Sequence, residues 1–232
     1  TNDDRSVTFS YQVSDGTVAV ATMATLDLTP VNDAPVIGLS TSVTSVESRS
    51  AGEIVYQGAA TDPDGSPNSL TWSLSGTDAA LFTIEAATGA VRFKTSPDFE
   101  KPGDAGGNNI YDITVTASDG ILSSATQAVA ISVKNVNEAP SVTSSSTVSF
   151  AENGMGITYR AAGSDSDAGT TLSWLLSGTD APLFNINAMS GAVTFKTSPD
   201  FETPGDVGGN NVYDITVTAS DGALSSTAQA VA

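Results

Sequence analysis

The sequence predicts an all-β chain built as tandem seven-stranded Greek-key β-sandwiches. Three observations predict it. The first is a long repeat: Phe93-Lys-Thr-Ser-Pro-Asp-Phe-Glu100 returns as Phe195-Lys-Thr-Ser-Pro-Asp-Phe-Glu202, and Trp72 returns as Trp174. Solenoid and propeller units run to roughly 20–50 residues, so a repeat of this length is a whole domain. The second is a period-two apolar pattern. Tyr111, Ile113, Val115 and Ala117 alternate with Asp112, Thr114 and Thr116, and Leu70, Trp72 and Leu74 alternate with Thr71 and Ser73. The third is regular punctuation by Gly, Pro, Asp and Asn between these runs, the spacing expected of a sandwich.

The elements follow in order. Residues 1–30 mirror the last two strands of a repeat: Phe9 to Val13, the turn Ser14-Asp15-Gly16, then Val18 to Leu28. They are expected to form an incomplete hairpin belonging to a preceding repeat, or to contact a neighbouring molecule. The first full repeat, 36–135, divides into strands A at 41–46, B at 53–60, C at 69–75, D at 81–85, E at 90–95, F at 110–118 and G at 122–134. Ser118-Asp119-Gly120 supplies the F–G turn and Thr88-Gly89 the D–E turn, with Gly taking the positive φ such turns need. The second repeat, 141–232, takes the same cut, with its last strand cut short at Gln229–Ala232. The chain opens with Thr1 in mid-pattern and reads as a segment of something longer. No amphipathic helix stands out. The two junctions, Val31-Asn-Asp-Ala-Pro35 and Val136-Asn-Glu-Ala-Pro140, are too short and too Pro-bound to act as floppy coils.

Composition narrows the chemistry. The formal net charge is −18, from 8 basic and 26 acidic residues. That opposes binding to nucleic acid or to an anionic membrane surface and favours divalent cations or plain solubility. The chain has no Cys and no His, which removes disulfides, thiolate chemistry, the usual zinc ligand and the commonest general base. No stretch approaches the ~20 apolar residues of a membrane helix, so no membrane insertion is expected.

Strand parity places the acids. In a sandwich of successive antiparallel strands, the A–B, C–D and E–F loops share one end, and the B–C, D–E and F–G loops share the other. Glu47, Asp98 and Glu100 then gather at one end of the first repeat, and Asp62, Asp64 and Asp119 at the other. In the second repeat Glu152, Asp200 and Glu202 gather at one end, and Asp165, Asp167 and Asp221 at the other. Stacking the repeats would bring Glu47, Asp98, Glu100, Asn137, Glu138, Asp165, Asp167 and Asp221 to the 1/2 junction. Asn32, Asp33, Asp62, Asp64 and Asp119 would serve the junction before repeat 1. Glu152, Asp200 and Glu202 form a half-site at the C-terminal end. Such a density of carboxylates is strongly repulsive unless neutralised. Oxygen-only ligands select a hard cation, and Ca²⁺, with 6–8 oxygens and tolerant geometry, fits better than Mg²⁺. Each Asp taken singly is better explained by loop-capping in Asp-Gly and Asp-Pro turns, and it is the whole set that favours metal.

The order of these motifs resembles bacterial cadherin-like repeats of large surface adhesins. The residues that carry the likeness are Phe150-Ala-Glu152-Asn, Asp62-Pro-Asp64 and Asp165-Ser-Asp167, Leu81 to Val91, Asp98-Phe-Glu100, Ala117-Ser-Asp119, and Val31-Asn-Asp-Ala-Pro35. Both linkers are one residue shorter than the animal pattern and lack its opening Asp, which bears on the number of ions. The resemblance implies an Ig-like, cadherin-like sandwich on the bacterial cell surface. Junction Ca²⁺ would stiffen a tandem rod that serves calcium-dependent adhesion, with neighbouring repeats of the same chain as partners. Two other readings stand beside it: direct binding of a surface carbohydrate, a protein or another copy, and a metal-free structural spacer.

Enzymatic readings carry less. Trp72 and Trp174 could present a sugar platform, but each sits in a Leu-Trp-Leu strand that favours the core. Asp98 and Glu100 as glycosidase carboxylates lack any cleft around them. The Gly-rich segments 102–109 and 204–211 precede no helix that could cradle phosphate, and read as E–F loops in which Asp104 and Asp206 add a minor cation contact.

Overall fold

The computed structural model describes residues 5–38, 40–64 and 70–232, and it divides into two compact units, Thr1–Asn135 and Val136–Ala232. In the first unit β1 (Arg5–Ser14) and β2 (Ala19–Leu28) form an antiparallel hairpin. Asp15 closes its turn by accepting the Thr17 and Val18 amides at 2.9 and 2.8 Å, and these donors lower its pKa to about 2. One face of the hairpin carries Val7, Phe9, Tyr11, Val13, Val20 and Leu26, all exposed.

The sandwich of this unit begins at β3 (Val36–Ile37) and continues through β4 (Ser42–Val46), β5 (Ile54–Gln57), β6 (Ala60–Thr61), β7 (Thr71–Ser75), β8 (Phe82–Ile84), β9 (Ala90–Phe93), β10 (Ile110–Ser118) and β11 (Gln127–Lys134). One sheet has the order β4-β11-β10-β7, with β4 parallel to β11 and the other pairs antiparallel. The facing sheet has the order β5-β9-β8, and β3 pairs with β6. Sequence neighbours therefore cross between sheets, as a Greek key requires. Alternation decides what is inside: Tyr111, Ile113, Val115 and Ala117 are buried, as are Val129, Ile131 and Val133 from β11. Phe82 and Phe93 stack at 4.4 Å, and Tyr111 meets both rings edge-on at 5.9 and 5.2 Å. Trp72 lies in this core rather than on a surface platform.

Several strand limits differ from the sequence expectation for local reasons. Strand B is interrupted at Gly58, whose amide bonds Gly89 O at 3.0 Å. A Cβ at Gly58 would lie 2.7 Å from Trp72 Cζ3, and one at Gly89 2.8 Å from Trp72 Cδ2, so two glycines admit one indole. Strand G begins at Gln127 rather than 122 because Ser124 takes over the ladder. Its hydroxyl accepts the Ala117 amide at 3.1 Å, and its own amide bonds Ala117 O. A 3₁₀ turn at Ala79–Leu81 delays strand D by one residue. The first residue of expected strand C, Ser69, lies outside the described residues.

The second unit repeats this plan. Its strands are β12 (Ser141–Val142), β13 (Ile157–Arg160), β14 (Gly163–Ser164), β15 (Ser173–Ser177), β16 (Phe184–Ile186), β17 (Ala192–Phe195), β18 (Ile215–Ser220) and β19 (Gln229–Val231). The sheets have the orders β15-β18-β19 and β13-β17-β16, with β12 paired to β14. Trp174, Phe184, Val193, Ile215, Val217 and Val231 fill the core. The counterpart of β4 is not a strand here. In the first unit β4 pairs with Ala130 to Lys134. What remains is Ala232 N to Ser146 O at 3.1 Å and Val148 N to Ala232 O at 3.2 Å.

Candidate metal centres at the domain ends

Each unit gathers acids at both ends of its sandwich, on the loops that strand parity assigns. At one end of the first unit Glu47, the residue after β4, is buried, and its Oε2 accepts the Phe99 amide at 2.8 Å. The Glu47 and Glu100 carboxylates come within 4.8 Å of each other. Asp98 does not join them. Its Oδ1 accepts the Lys101 amide at 2.9 Å, and its Oδ2 lies 4.0 Å from Lys101 Nζ.

The same end of the second unit brings all three expected residues together. Glu152, Asp200 and Glu202 carboxylate oxygens lie within 4.8 Å of one another, all exposed. Glu152 Oε2 accepts the Phe201 amide at 3.0 Å. The position of Lys101 is held by Thr203 in the second repeat.

The opposite end of the first unit joins the junction residues to the B–C and F–G loops. Asn32 Nδ2 donates to Asp119 Oδ2 at 2.8 Å, the Asp33 amide donates to Asp64 Oδ2 at 2.6 Å, and the Asp64 amide donates to Asp62 Oδ1 at 3.0 Å. In the second unit Asn137 Nδ2 donates to Asp221 Oδ2 at 2.7 Å, the Glu138 amide to Asp167 Oδ2 at 2.9 Å, and the Asp167 amide to Asp165 Oδ1 at 2.9 Å. The two ends are built bond for bond alike.

These carboxylates differ in how far the protein itself satisfies them. Asp119 Oδ1 accepts the Ile121 and Leu122 amides, both at 2.7 Å, and Asp221 Oδ1 accepts those of Ala223 and Leu224, both at 2.6 Å. Backbone donors from Ile121 and Leu122, then Asn32, lower the Asp119 pKa; for Asp221 the Asn137 carboxamide leads. Loop-capping thus accounts for how these two residues are held. Asp62 and Asp165 are different. In each, Oδ2 is buried with no hydrogen-bond partner, at the same place in both repeats. A buried carboxylate oxygen without a donor carries an uncompensated desolvation penalty. The donor set around it is oxygen-only, which fits a hard divalent cation.

Behind the acidic loops stands a scaffold of further aspartates, of which the sequence singles out only Asp104 and Asp206. Asp78 is buried, and its Oδ1 and Oδ2 accept the Ala105 and Asp112 amides at 2.8 and 2.7 Å. Asp180 does the same for Val207 and Asp214 at 2.8 and 2.7 Å. Asp104 accepts the Asn108 and Asn109 amides, each at 3.0 Å, and Asp206 those of Asn210 and Asn211, each at 3.0 Å. Asp104 and Asp206, expected as minor cation contacts, also clamp the backbone of their own loops. The recurrence of Thr-Asp before the 3₁₀ turn and of Asp-x-Gly-Gly-Asn-Asn was the available signal.

Comparison with known proteins agrees with this architecture. Residues 32–132 match the family model of a bacterial Ig domain. The mouse protein Protocadherin Fat 4 is 27% identical over 172 residues, which is 70% of this chain and 3% of that protein, so this chain spans a small fraction of the relative. Among solved structures, mouse cadherin-23 EC22-24 superposes with a TM-score of 0.54 at 20% identity, covering 97% of this chain and 72% of that one. Human CDH23 EC21-23 gives 0.62 at 17% identity, over 97% and 74%. Human protocadherin-24 EC1-2 gives 0.57 at 21% identity, over 87% and 94%. The solved cadherin structures share the all-β, Ig-like sandwich fold with this chain, and the bacterial Ig match falls on its first full repeat. Among the described residues no helix is long and apolar enough to cross a membrane.

Proposed function

We propose that this chain is a calcium-binding segment of an extracellular bacterial adhesin, in which ions at the domain ends stiffen a tandem array and the sandwiches act as spacers rather than catalysts. The observation that carries the proposal is the pair of buried, donor-free oxygens, Asp62 Oδ2 and Asp165 Oδ2, recurring among carboxylates in both repeats. A bound Ca²⁺ supplies the positive charge that offsets carboxylate repulsion. The protein's part is to present oxygens in fixed places. Glu47 and Glu152 hold the Phe99 and Phe201 amides and so set the acidic loops beside them. Asn32 and Asn137 orient Asp119 and Asp221 through their second oxygens.

The ligand set read from the sequence is carried forward with this proposal: Glu47, Asp98, Glu100, Asn137, Glu138, Asp165, Asp167 and Asp221 at the 1/2 junction, Asn32, Asp33, Asp62, Asp64 and Asp119 before repeat 1, and Glu152, Asp200 and Glu202 beyond repeat 2. Extracellular calcium modules bind with Kd of about 10⁻⁴–10⁻³ M. At about 10 mM Ca²⁺ each site then stabilises by about 1.4–2.7 kcal/mol. The test is a thermal melt of each unit with calcium and with chelator. Melting temperatures that rise with Ca²⁺ and fall with chelator support the proposal, and melts insensitive to both overturn it.

A further inference from the structure

We infer that Asn109 and Asn211, on the Gly-rich loops, are positioning residues that set the cation affinity of the acidic loops; this rests on the calcium reading above. The argument starts from the peptide plane. Each peptide unit is rigid, so fixing its N–H or its C=O fixes both Cα atoms that flank it. Phe99 is gripped on both sides. Its amide donates to Glu47 Oε2 at 2.8 Å, and its carbonyl accepts Asn109 Nδ2 at 2.8 Å. The first bond orients the peptide unit that begins at Asp98. The second orients the one that ends at Glu100. Together they fix the main-chain origin of both acidic side chains.

The second repeat makes the same two bonds. Phe201 N donates to Glu152 Oε2 at 3.0 Å, and Phe201 O accepts Asn211 Nδ2 at 2.9 Å. The grip persists although Phe99 is half-buried against the core and Phe201 is exposed. Packing of the phenyl ring is therefore not what holds the loop in the second repeat.

Asparagine is the residue this position needs. Asn109 and Asn211 have φ of 62° and 61°, in the left-handed region that Gly and Asn tolerate best. Glycine would take that conformation without a donor. Longer amides and amines would donate but resist the conformation. The main chain that carries each carboxamide is itself held, since Asp104 Oδ1 accepts the Asn109 backbone amide and Asp206 Oδ1 the Asn211 backbone amide. Asp78 and Asp180 tie the far side of each loop to the strand that follows. The Gly-rich loop is thus a rigid outrigger whose tip holds the carbonyl between two candidate ligands. Partners one step behind metal ligands commonly change metal affinity about 10–100-fold when removed.

The test uses the full chain with Asn109→Gly, Asn211→Gly and both together, each titrated with Ca²⁺ by calorimetry after the wild type. Glycine accepts the positive φ, so only the carboxamide is lost. The expected result is an affinity about tenfold weaker in each single variant, with the metal-free melting temperature lowered by only a few degrees. Affinity within about twofold of wild type overturns the inference. Asn109→Asp and Asn211→Asp provide a second arm in case glycine unfolds the loop. Aspartate keeps the shape and the backbone tolerance, removes the donor and adds a negative charge. Positioning predicts weaker binding in spite of that charge, and tighter binding overturns it. A wild type that takes up no calcium overturns the calcium reading itself, and the order of titrations tells that failure from the other.

Discussion

Asp78 offers the sharpest test of how the loops are held, through Asp78→Ala. The carboxylate is 4% exposed and accepts two backbone amides, Ala105 N at 2.8 Å and Asp112 N at 2.7 Å. A hydrogen bond to a charged group contributes about 1.5–3 kcal/mol. Ala105 and Asp112 themselves lie at the surface, so water can reach part of what is left unpaired. The expected loss is therefore about 2–4 kcal/mol in all, below the sum of two unrelieved bonds. For a domain of this size 1 kcal/mol moves Tm by about 4–8 °C, so the melt of the first unit should fall by roughly 10–25 °C. Asp78→Asn keeps one acceptor and should lose about half as much. The chain holds one Trp in each unit, so fluorescence of Trp72 in a Trp174→Phe background reports the first unit alone. The melt belongs in chelator, to separate scaffold from cation. A fall of less than about 3 °C would refute the claim that this carboxylate organises the loop.

Other consequences can be checked with the same protein. Asp165→Asn should weaken calcium binding on the order of tenfold, by removing one ligand charge, and should leave metal-free stability unchanged or higher, because it relieves a buried oxygen without a donor; a loss of metal-free stability would contradict this. Gly89→Ala should destabilise the first unit by about 1–3 kcal/mol as overpacking, because the new Cβ meets Trp72 at 2.8 Å and the backbone has φ of 71°; the Trp72 melt measures it. Carboxyl NMR should find Asp119 and Asp221 titrating below the ordinary aspartate value of 3.8, and Asn137→Ala should raise Asp221. Both folded pKa values are depressed, so the stability they contribute is fully present above the unfolded value near 3.8 and is lost as pH falls through the lower folded values. Unshifted titrations would remove that contribution.

The sandwich was legible because period-two alternation and a domain-length repeat are global signals that many residues share. Tyr111 to Ala117 reads as one buried face however the strand ends fray. The ends of the elements were harder to read, because single local bonds decide them. Ser124 replaces a ladder partner, Gly58 breaks strand B to admit an indole, and Asp78 and Asp180, which look like ordinary loop acids in sequence, clamp a distant loop with carboxylates that do not cap their own 3₁₀ turns. The Glu152, Asp200 and Glu202 carboxylates, which parity assigns to one end, lie within 4.8 Å of one another. Asp98 is not part of the corresponding group, and its Oδ1 caps the Lys101 amide instead; parity says nothing about such a local bond. The roles of Asn109 and Asn211 were hidden because a carboxamide gripping a distant carbonyl leaves no periodic trace.

The most direct test of the calcium account is calorimetric titration of Ca²⁺ into metal-free chain, run in parallel with Mg²⁺ and followed by small-angle scattering of both states. The account predicts two or more Ca²⁺ per molecule, weaker Mg²⁺ binding, and a narrower, straighter particle in calcium. No binding at millimolar Ca²⁺ would contradict it and leave the acids as solvated charge.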